Sequence, residues 1–305
     1  MRVAVSGATG LIGSAVVRAL VQRGDEVTAL SRNAERASAT LDVAAETWAD
    51  PKADRPPLDA LSGHDGVVHL LGEVIAQRWS DETKREIRDS RVLSTRNLVA
   101  GLAGLAEEER PGVLVSGSGA GWYGQRGDER LDESAPEPGD DFLAQLSKDW
   151  EAEARHAEEL GVRVVLHRTG VVLSESGGAL EKMLPFFKAG IGGPVAGGRQ
   201  FVPWVHVDDV VGATIFALEN EELRGPVNVT APEPVTNREL SKTLGRVLRR
   251  PAFAPVPALA VKTLYGDMAQ IVTTGQRAVP GRLTELGYAF RQPDLESALR
   301  DATGR

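Results

Sequence analysis

The sequence contains no cysteine, and that one absence removes disulfides, thiol catalysis and thiolate metal sites together. Also missing is any apolar run approaching the roughly 20 residues that cross a bilayer. The first residues, Met1 to Val5, read as a strand rather than a leader. These absences predict a soluble cytoplasmic protein without a membrane partner. There is no long run of one charge sign, and the formal net charge is −8. The basic patch that nucleic-acid backbones require is therefore lacking, and nucleic acid is not expected as a partner. The densest cationic stretch, Lys84, Arg85, Arg88 and Arg91, is interleaved with Glu82, Glu86 and Asp89 and reads as a solvated helix face. No internal repeat or low-complexity segment interrupts the chain.

What is present begins within thirteen residues. A short apolar strand, Val3 to Val5, runs into the turn GATGLIG, with glycines at Gly7, Gly10 and Gly13. A glycine turn between strand and helix lets backbone N–H groups approach a pyrophosphate at the positive end of the helix dipole. Gly7 suits the tight turn, Gly10 leaves room for phosphate, and Gly13 lets the helix beginning near Leu11 lie close to the strand. That helix carries Leu11, Ala15, Val16, Ala19 and Leu20 on one face, ends at Gly24, and feeds a second strand, Glu26 to Leu30. The whole is a βαβ unit with a dinucleotide fingerprint. The second strand ends in Ser31, Arg32 and Asn33, where an NAD site would place a carboxylate for the ribose hydroxyls. A guanidinium can pair a 2′-phosphate that a carboxylate would repel, so the expected cofactor is NADP(H).

At 305 residues and 42% hydrophobic content, the chain can bury a substantial core. Short, Val-rich strands recur at Val43 to Trp48, Gly66 to Leu71, Val113 to Ser116 and Val162 to Leu166, with helices between them, the longest predicted from Asp81 to Glu107. This alternation predicts an α/β fold, a Rossmann-type doubly wound parallel sheet. After Arg168 glycine and proline become frequent around a short helix, Ala179 to Lys188, as in a loop-rich substrate lobe. Regular structure returns with a helix at Asp209 to Glu219 and a strand at Val227 to Val229. Thr236 and Glu239 then form a capping box opening a helix to about Arg250, and Pro251, Pro255 and Pro257 delimit a tail of short helices. The expected division is a cofactor domain at 1–170, rejoined by 203–230, and a smaller helical substrate and C-terminal lobe at 171–202 and 231–305. His206 with Asp208 and Asp209 only superficially suggests a metal cluster. No second histidine lies at ligand spacing, Asp208 or Asp209 is placed to cap the next helix, and no metal site is expected.

The chain resembles the extended short-chain dehydrogenase/reductases of the NAD(P)-dependent epimerase/dehydratase superfamily. The resemblance rests on GATGLIG, on VVHLLG at Val67 to Gly72, on VSGSGAGWYG at Val115 to Gly124, and on FVPWVHVDD at Phe201 to Asp209. It is closer still to the branch called epimerase family proteins (YfcH-like), which has its own C-terminal domain. That similarity lies in RWSDETKREIRDSRV from Arg78, RTGVVLSESGGAL from Arg168, GPVNVTAPEPVTNREL from Gly225, RRPAFAPVPALAVK from Arg249 and QRAVPGRLTELGYAF from Gln276.

The wider family works with a Tyr four residues before a Lys, and a Ser from the preceding strand end. The Lys holds the nicotinamide ribose and lowers the Tyr pKa, and the tyrosinate exchanges a proton with the substrate hydroxyl. Here Ser147 and Lys148 match that motif, but Ala144 stands where the Tyr is expected, and none of Tyr123, Tyr265 and Tyr288 has a Lys four positions on. Losing a general acid or base typically costs about 10²–10⁴ in rate. The resemblance implies Ser118, Tyr123 and Lys148 as catalytic candidates. Tyr123 is the first choice of replacement proton donor, with the alternative that Trp122 and Tyr123 wall the pocket. Implied cofactor contacts are Gly7, Thr9, Gly10, Leu11, Ile12, Gly13, Ser31, Arg32, Asn33, His69, Leu70, Leu71, Ser116, Lys148, Arg168 and Val171. His69 reads as packed or backbone-bonded rather than as a base. Trp122 is a substrate-side residue as a wall of the pocket, and Arg199 and Gln200 fall where the family contacts substrate phosphate or sugar. The implied activity is that of an NADP(H)-dependent oxidoreductase or epimerase acting, as monomer or homodimer, on a sugar nucleotide or small anionic carbonyl compound. The alternative is an NADP(H)-binding regulatory or interaction protein without turnover.

Overall fold

The computed structural model describes residues 1–305. Seven strands form one parallel sheet: β1 (Arg2–Ser6), β2 (Glu26–Ser31), β3 (Ala44–Thr47), β4 (Gly66–His69), β5 (Val113–Gly119), β6 (Arg163–Thr169) and β7 (Gly225–Val229). Their spatial order is β7-β6-β5-β4-β1-β2-β3, so the winding reverses between β1 and β4. In open α/β sheets the crevice above such a reversal is where ligands bind.

Strand periodicity divides the core into two layers. Val3, Val5, Val68, Val115 and Val165 face one side, against Val16, Val17 and Leu20 of α1 (Leu11–Gln22) and Val210 and Val211 of α6 (Val207–Glu219). Their neighbours Ala4, Val67, Leu114 and Val164 face the other side, against Leu98 and Leu102 of α3 (Asp81–Ala103) and Ala154 of α4 (Phe142–Arg155). Burial on both faces is why these strands are apolar at consecutive positions. A third apolar cluster lies outside these two layers. It joins Leu180, Leu184 and Phe187 of α5 (Gly178–Lys188), Leu240 and Leu244 of α7 (Asn237–Leu248), and Leu299 near the C-terminus. Helix α2 (Ala34–Leu41) covers the sheet edge. No helix is long and apolar enough to cross a membrane.

Several local expectations shift. The long helix α3 stops at Ala103 rather than Glu107, because Gly104 ends it and a separate turn of 3₁₀ helix occupies Glu107–Glu109. Its cations do not form one solvated face. Lys84 pairs with Asp267 at 2.7 Å and Arg88 with Asp149 at 3.0 Å, while Arg91 turns inward and is 7% exposed. The capping box at Thr236 and Glu239 forms as the sequence indicates. At α6 the cap is neither Asp208 nor Asp209: His206 Nδ1 accepts from the Asp208 N–H at 3.2 Å. With Nδ1 an acceptor, the ring proton sits on Nε2, 3.2 Å from the Asp301 carboxylate. His206, Asp208 and Asp301 thus lie close together, with Nδ1 taken by the helix end and Nε2 making no hydrogen bond. Asp209 is buried and accepts from the Tyr288 hydroxyl at 3.1 Å and from the N–H groups of Arg291 at 2.7 Å and Gln292 at 2.9 Å.

Candidate functional site

A cleft of about 500 Å³ lies above the reversal, between the C-terminal ends of β1, β4, β5 and β6 and the segments 201–203 and 270–276. The glycine turn forms its floor. Gly7 has φ +69°, and a Cβ there would stand 2.8 Å from the Leu70 backbone; one at Gly13 would stand 2.2 Å from the Gly7 carbonyl oxygen. Neither position can hold a side chain without moving backbone. Gly10 is the N-cap of α1 with no side-chain cap, and the N–H groups of Leu11, Ile12 and Gly13 find no acceptor in the chain. Three unanswered donors at a helix N-terminus, kept bare by glycines, form an anion-binding cradle. Thr9 lies beside it, lining an adjoining groove with Gly10 and Leu11.

At the end of β2, Ser31 Oγ accepts from the Asn33 N–H at 3.2 Å and Asn33 Oδ1 caps α2 through the Arg36 N–H at 2.9 Å. Both polar side chains are occupied in shaping the turn, which leaves Arg32 exposed between them with no ion pair. His69 ends β4 fully buried, with Nδ1 2.6 Å from Ser6 Oγ and Nε2 3.0 Å from Thr95 Oγ1. Burial pushes its pKa down to about 3, so it is a neutral structural imidazole. Leu70 lines the cleft; His69 and Leu71 do not.

The wall opposite is built by β5 and α4. Ser118 lines the cleft and donates to Glu151 Oε1 at 2.7 Å. Glu151 is buried and held bidentately by Arg168, Nε to Oε1 at 2.8 Å and Nη2 to Oε2 at 2.9 Å. The Arg168 guanidinium stacks 3.5 Å from the Trp122 ring centroid. Burial opposes its charge, but the hydrogen bonds to Glu151 outweigh that and raise its pKa.

Several residues expected at the site lie elsewhere. Tyr123 is 0% exposed, and its hydroxyl points under the cleft floor, 2.8 Å from Asn228 Oδ1, 2.9 Å from the Asp132 carbonyl and 3.4 Å from Arg168 Nη1. Burial pushes its pKa up to about 12, away from the range useful to an acid–base catalyst. Trp122 is committed to Arg168, and Arg168 to Glu151, so neither reaches the cleft. Ser116 is fully buried in β5, its hydroxyl directed at the Gly117 carbonyl. Lys148 is exposed and unpaired. The face of α4 turned to the cleft carries Leu143, Ser147 and Trp150 instead, because the Trp150 indole packs beneath Gly117 and fixes the helix rotation. The i, i+4 pair at the cleft is therefore Leu143 and Ser147, one residue out of step with Ala144 and Lys148. Arg199 is exposed outside the cleft, and Gln200 donates to the carbonyls of Val195 and Val272. Val171, by contrast, does line the cleft.

The sequence profile of the NAD dependent epimerase/dehydratase family matches residues 3–230. The chain belongs to this family. A second profile, a domain of unknown function (DUF1731), matches residues 256–302. Among relatives of this epimerase family chain, the epimerase family protein MT2273 of Mycobacterium tuberculosis is 40% identical, over 99% of this chain and 98% of that protein. The chloroplastic SDR39U1 homolog of Arabidopsis thaliana is 39% identical, over 98% of this chain and 86% of the plant protein. The crystal structure of human epimerase family protein SDR39U1 with NADPH superposes with a TM-score of 0.89 at 34% identity, covering all of both chains. The UDP-N-acetylglucosamine 4-epimerase of Bacillus cereus, at 16% identity and a TM-score of 0.77, shares the fold.

Two buried groups behind the cleft wall were not anticipated. Glu151 lies three residues past Lys148, and its signal was a carboxylate on the inward side of an amphipathic helix. Asn228, fully buried at the end of β7, had no signal beyond a polar residue inside an apolar strand.

Proposed function

We propose that this chain is an NADP(H)-dependent oxidoreductase or epimerase-like enzyme acting on a small substrate bearing a hydroxyl or carbonyl group. The observation that carries the reading is that the glycine cradle and Ser118 open onto one cleft. A pyrophosphate fits the cradle because its first-turn N–H groups are unanswered, and Gly7 and Gly13 let strand, turn and helix approach more closely than any Cβ would allow, which holds those groups in place. Arg32, free of any carboxylate, suits a 2′-phosphate, and the NADPH in the human relative supports the same choice. In this reading residues 1–170 and 203–230 hold the cofactor, and 171–202 with 231–305 close the substrate side.

Bound there, the nicotinamide would supply a two-electron acceptor or donor for a carbon–oxygen centre. The chain's own part is proton handling. Ser118 Oγ gives its proton to Glu151, so it offers only lone pairs to the cleft and accepts a hydrogen bond from a substrate hydroxyl. As that hydroxyl is deprotonated, its proton passes to Ser118 Oγ and the Ser118 proton passes to Glu151 Oε1. Arg168 holds the carboxylate still during the transfer, and Ser147 adds a second hydroxyl on the same wall. Tyr123 is assigned to packing beneath the site. A serine aimed into the cleft and backed by a carboxylate weighs against a purely regulatory role.

Cofactor binding is checked by titrating NADPH and NADH and following nucleotide fluorescence. NADPH is expected to bind at least about ten-fold more tightly, and Arg32→Glu to remove that preference. Equal affinities in the unaltered protein would overturn the assignment.

A further inference from the structure

The far half of the cleft, beyond the reach of the glycine cradle, is walled by Val74, Ile75, Leu143, Leu146, Phe201 and Ile271. Only two ionisable side chains line the cleft, Arg91 and Asp141, and both are engaged. Arg91 sits under Gly72, where a Cβ would stand 2.7 Å from its guanidinium carbon. It donates through Nη1 to the Ile87 carbonyl and through Nη2 to the Glu73 carbonyl, each at 2.9 Å, and packs 5.3 Å from the Trp150 ring centroid; its Nε alone lacks an acceptor. Asp141 Oδ1 caps α4 through the Ala144 N–H at 3.0 Å. The cations a diphosphate would need lie outside: Arg199 and Lys148 are exposed, and Arg277 backs the wall, 5.0 Å from the Phe201 ring centroid, without lining the cleft. The uncharged polar groups on the cleft lining are the Ser118, Ser147 and Thr169 hydroxyls, the Trp150 indole N–H, which has no partner, and the side chains of Gln270, Thr274 and Gln276.

We infer that the substrate is an uncharged, predominantly apolar alcohol or the corresponding ketone, the alcohol hydroxyl donating to Ser118 and the ketone oxygen accepting from the Ser147 hydroxyl, with the hydrocarbon body against the apolar wall, and not a nucleotide sugar. A dianionic diphosphate moved into this half would lose its hydration and meet a single cation, Arg91, buried under Gly72 with two of its nitrogens already held by carbonyls. An apolar body of similar size would displace water from surfaces that bind it weakly. The sugar-nucleotide and anionic substrates implied by the family resemblance are therefore disfavoured by the walls themselves. The inference rests on the NADP(H) reading of the same cleft.

The test uses the full chain loaded with NADP⁺, a form in which a ketone cannot be reduced, so that binding is read without turnover. Tryptophan fluorescence is followed, since Trp150 lines the cleft, while menthone, acetophenone, a steroid ketone and UDP-glucuronate are titrated separately. At least one ketone is expected to saturate the signal about ten-fold or more below any effect of UDP-glucuronate. Ile271→Gln is expected to weaken that ketone about five-fold or more with NADP⁺ affinity retained. Tighter binding of UDP-glucuronate than of every ketone would overturn the inference, and so would a loaded protein that responds to no ketone. Failure to load NADP⁺ at all would instead overturn the cofactor reading on which it rests.

Discussion

Replacing Glu151 by glutamine tests the polar network at its centre. The Glu151 and Arg168 side chains are 5% and 3% exposed, so the variant leaves a guanidinium in the interior with its charge uncompensated and one amide N–H₂ facing its donors. Breaking one side of a buried pair costs about 3–5 kcal/mol. Glutamine keeps one acceptor oxygen, which places the expectation near the lower end, about 3 kcal/mol. For a chain of 305 residues that corresponds to a fall in melting temperature of roughly 5 °C. The double variant Glu151→Leu with Arg168→Met removes both charges and keeps most of the volume, and a hydrophobic replacement of a buried pair is often neutral or better. It should lie within about 1 kcal/mol of the unaltered protein. Urea unfolding followed by tryptophan fluorescence separates these cases. The double variant also strips Ser118 of its acceptor, so it should be stable and still bind NADPH while losing turnover. A Glu151→Gln protein as stable as the parent, or a double variant less stable than the single, would refute the view that pairing here compensates a buried charge.

Lys148→Ala should leave NADPH affinity within about two-fold, because the side chain faces solvent; a loss of ten-fold or more would show that it reaches the ribose. Acid should destabilise the fold through His69 and His167, whose pKa values burial pushes down to about 3 and about 4. The unfolded chain protonates both near pH 6.5 and the folded chain does not, so this stability is present above about 6.5 and lost as pH falls toward 4. The limiting slope is about 1.4 kcal/mol per pH unit for each histidine. Urea midpoints at a series of pH values read it, and a midpoint unchanged between neutral pH and pH 4.5 would count against it.

The sheet was legible because doubly covered strands write themselves as continuous apolar runs, and the cofactor turn because Gly7 and Gly13 answer to steric limits that leave no other residue type. The reacting end was harder to read. Whether Ser147 or Lys148 faces the cleft depends on a rotation of α4 by a fraction of a turn, set by Trp150 beneath Gly117, a contact between segments distant in sequence. Tyr123 looked like a cleft residue because it follows the β5 terminus. Its direction is decided by Asn228 and Asp132, which the fold alone brings near. Arg168 looked like a cofactor ligand for a similar reason, and only the buried position of Glu151 turns it inward.

Asp209 ties α6 to the segment from Tyr288 to Gln292, and that tie has a consequence for the sheet. The carboxylate is 2% exposed, and the hydrogen bonds it accepts come from Tyr288, Arg291 and Gln292. Those same residues are also its cover, with Tyr288 and Phe290 packed against the core beside α6. Detaching them would return the carboxylate to water and strip α6 of its outer layer. The segment matched by the second profile is therefore part of what covers the sheet rather than an appendage to it.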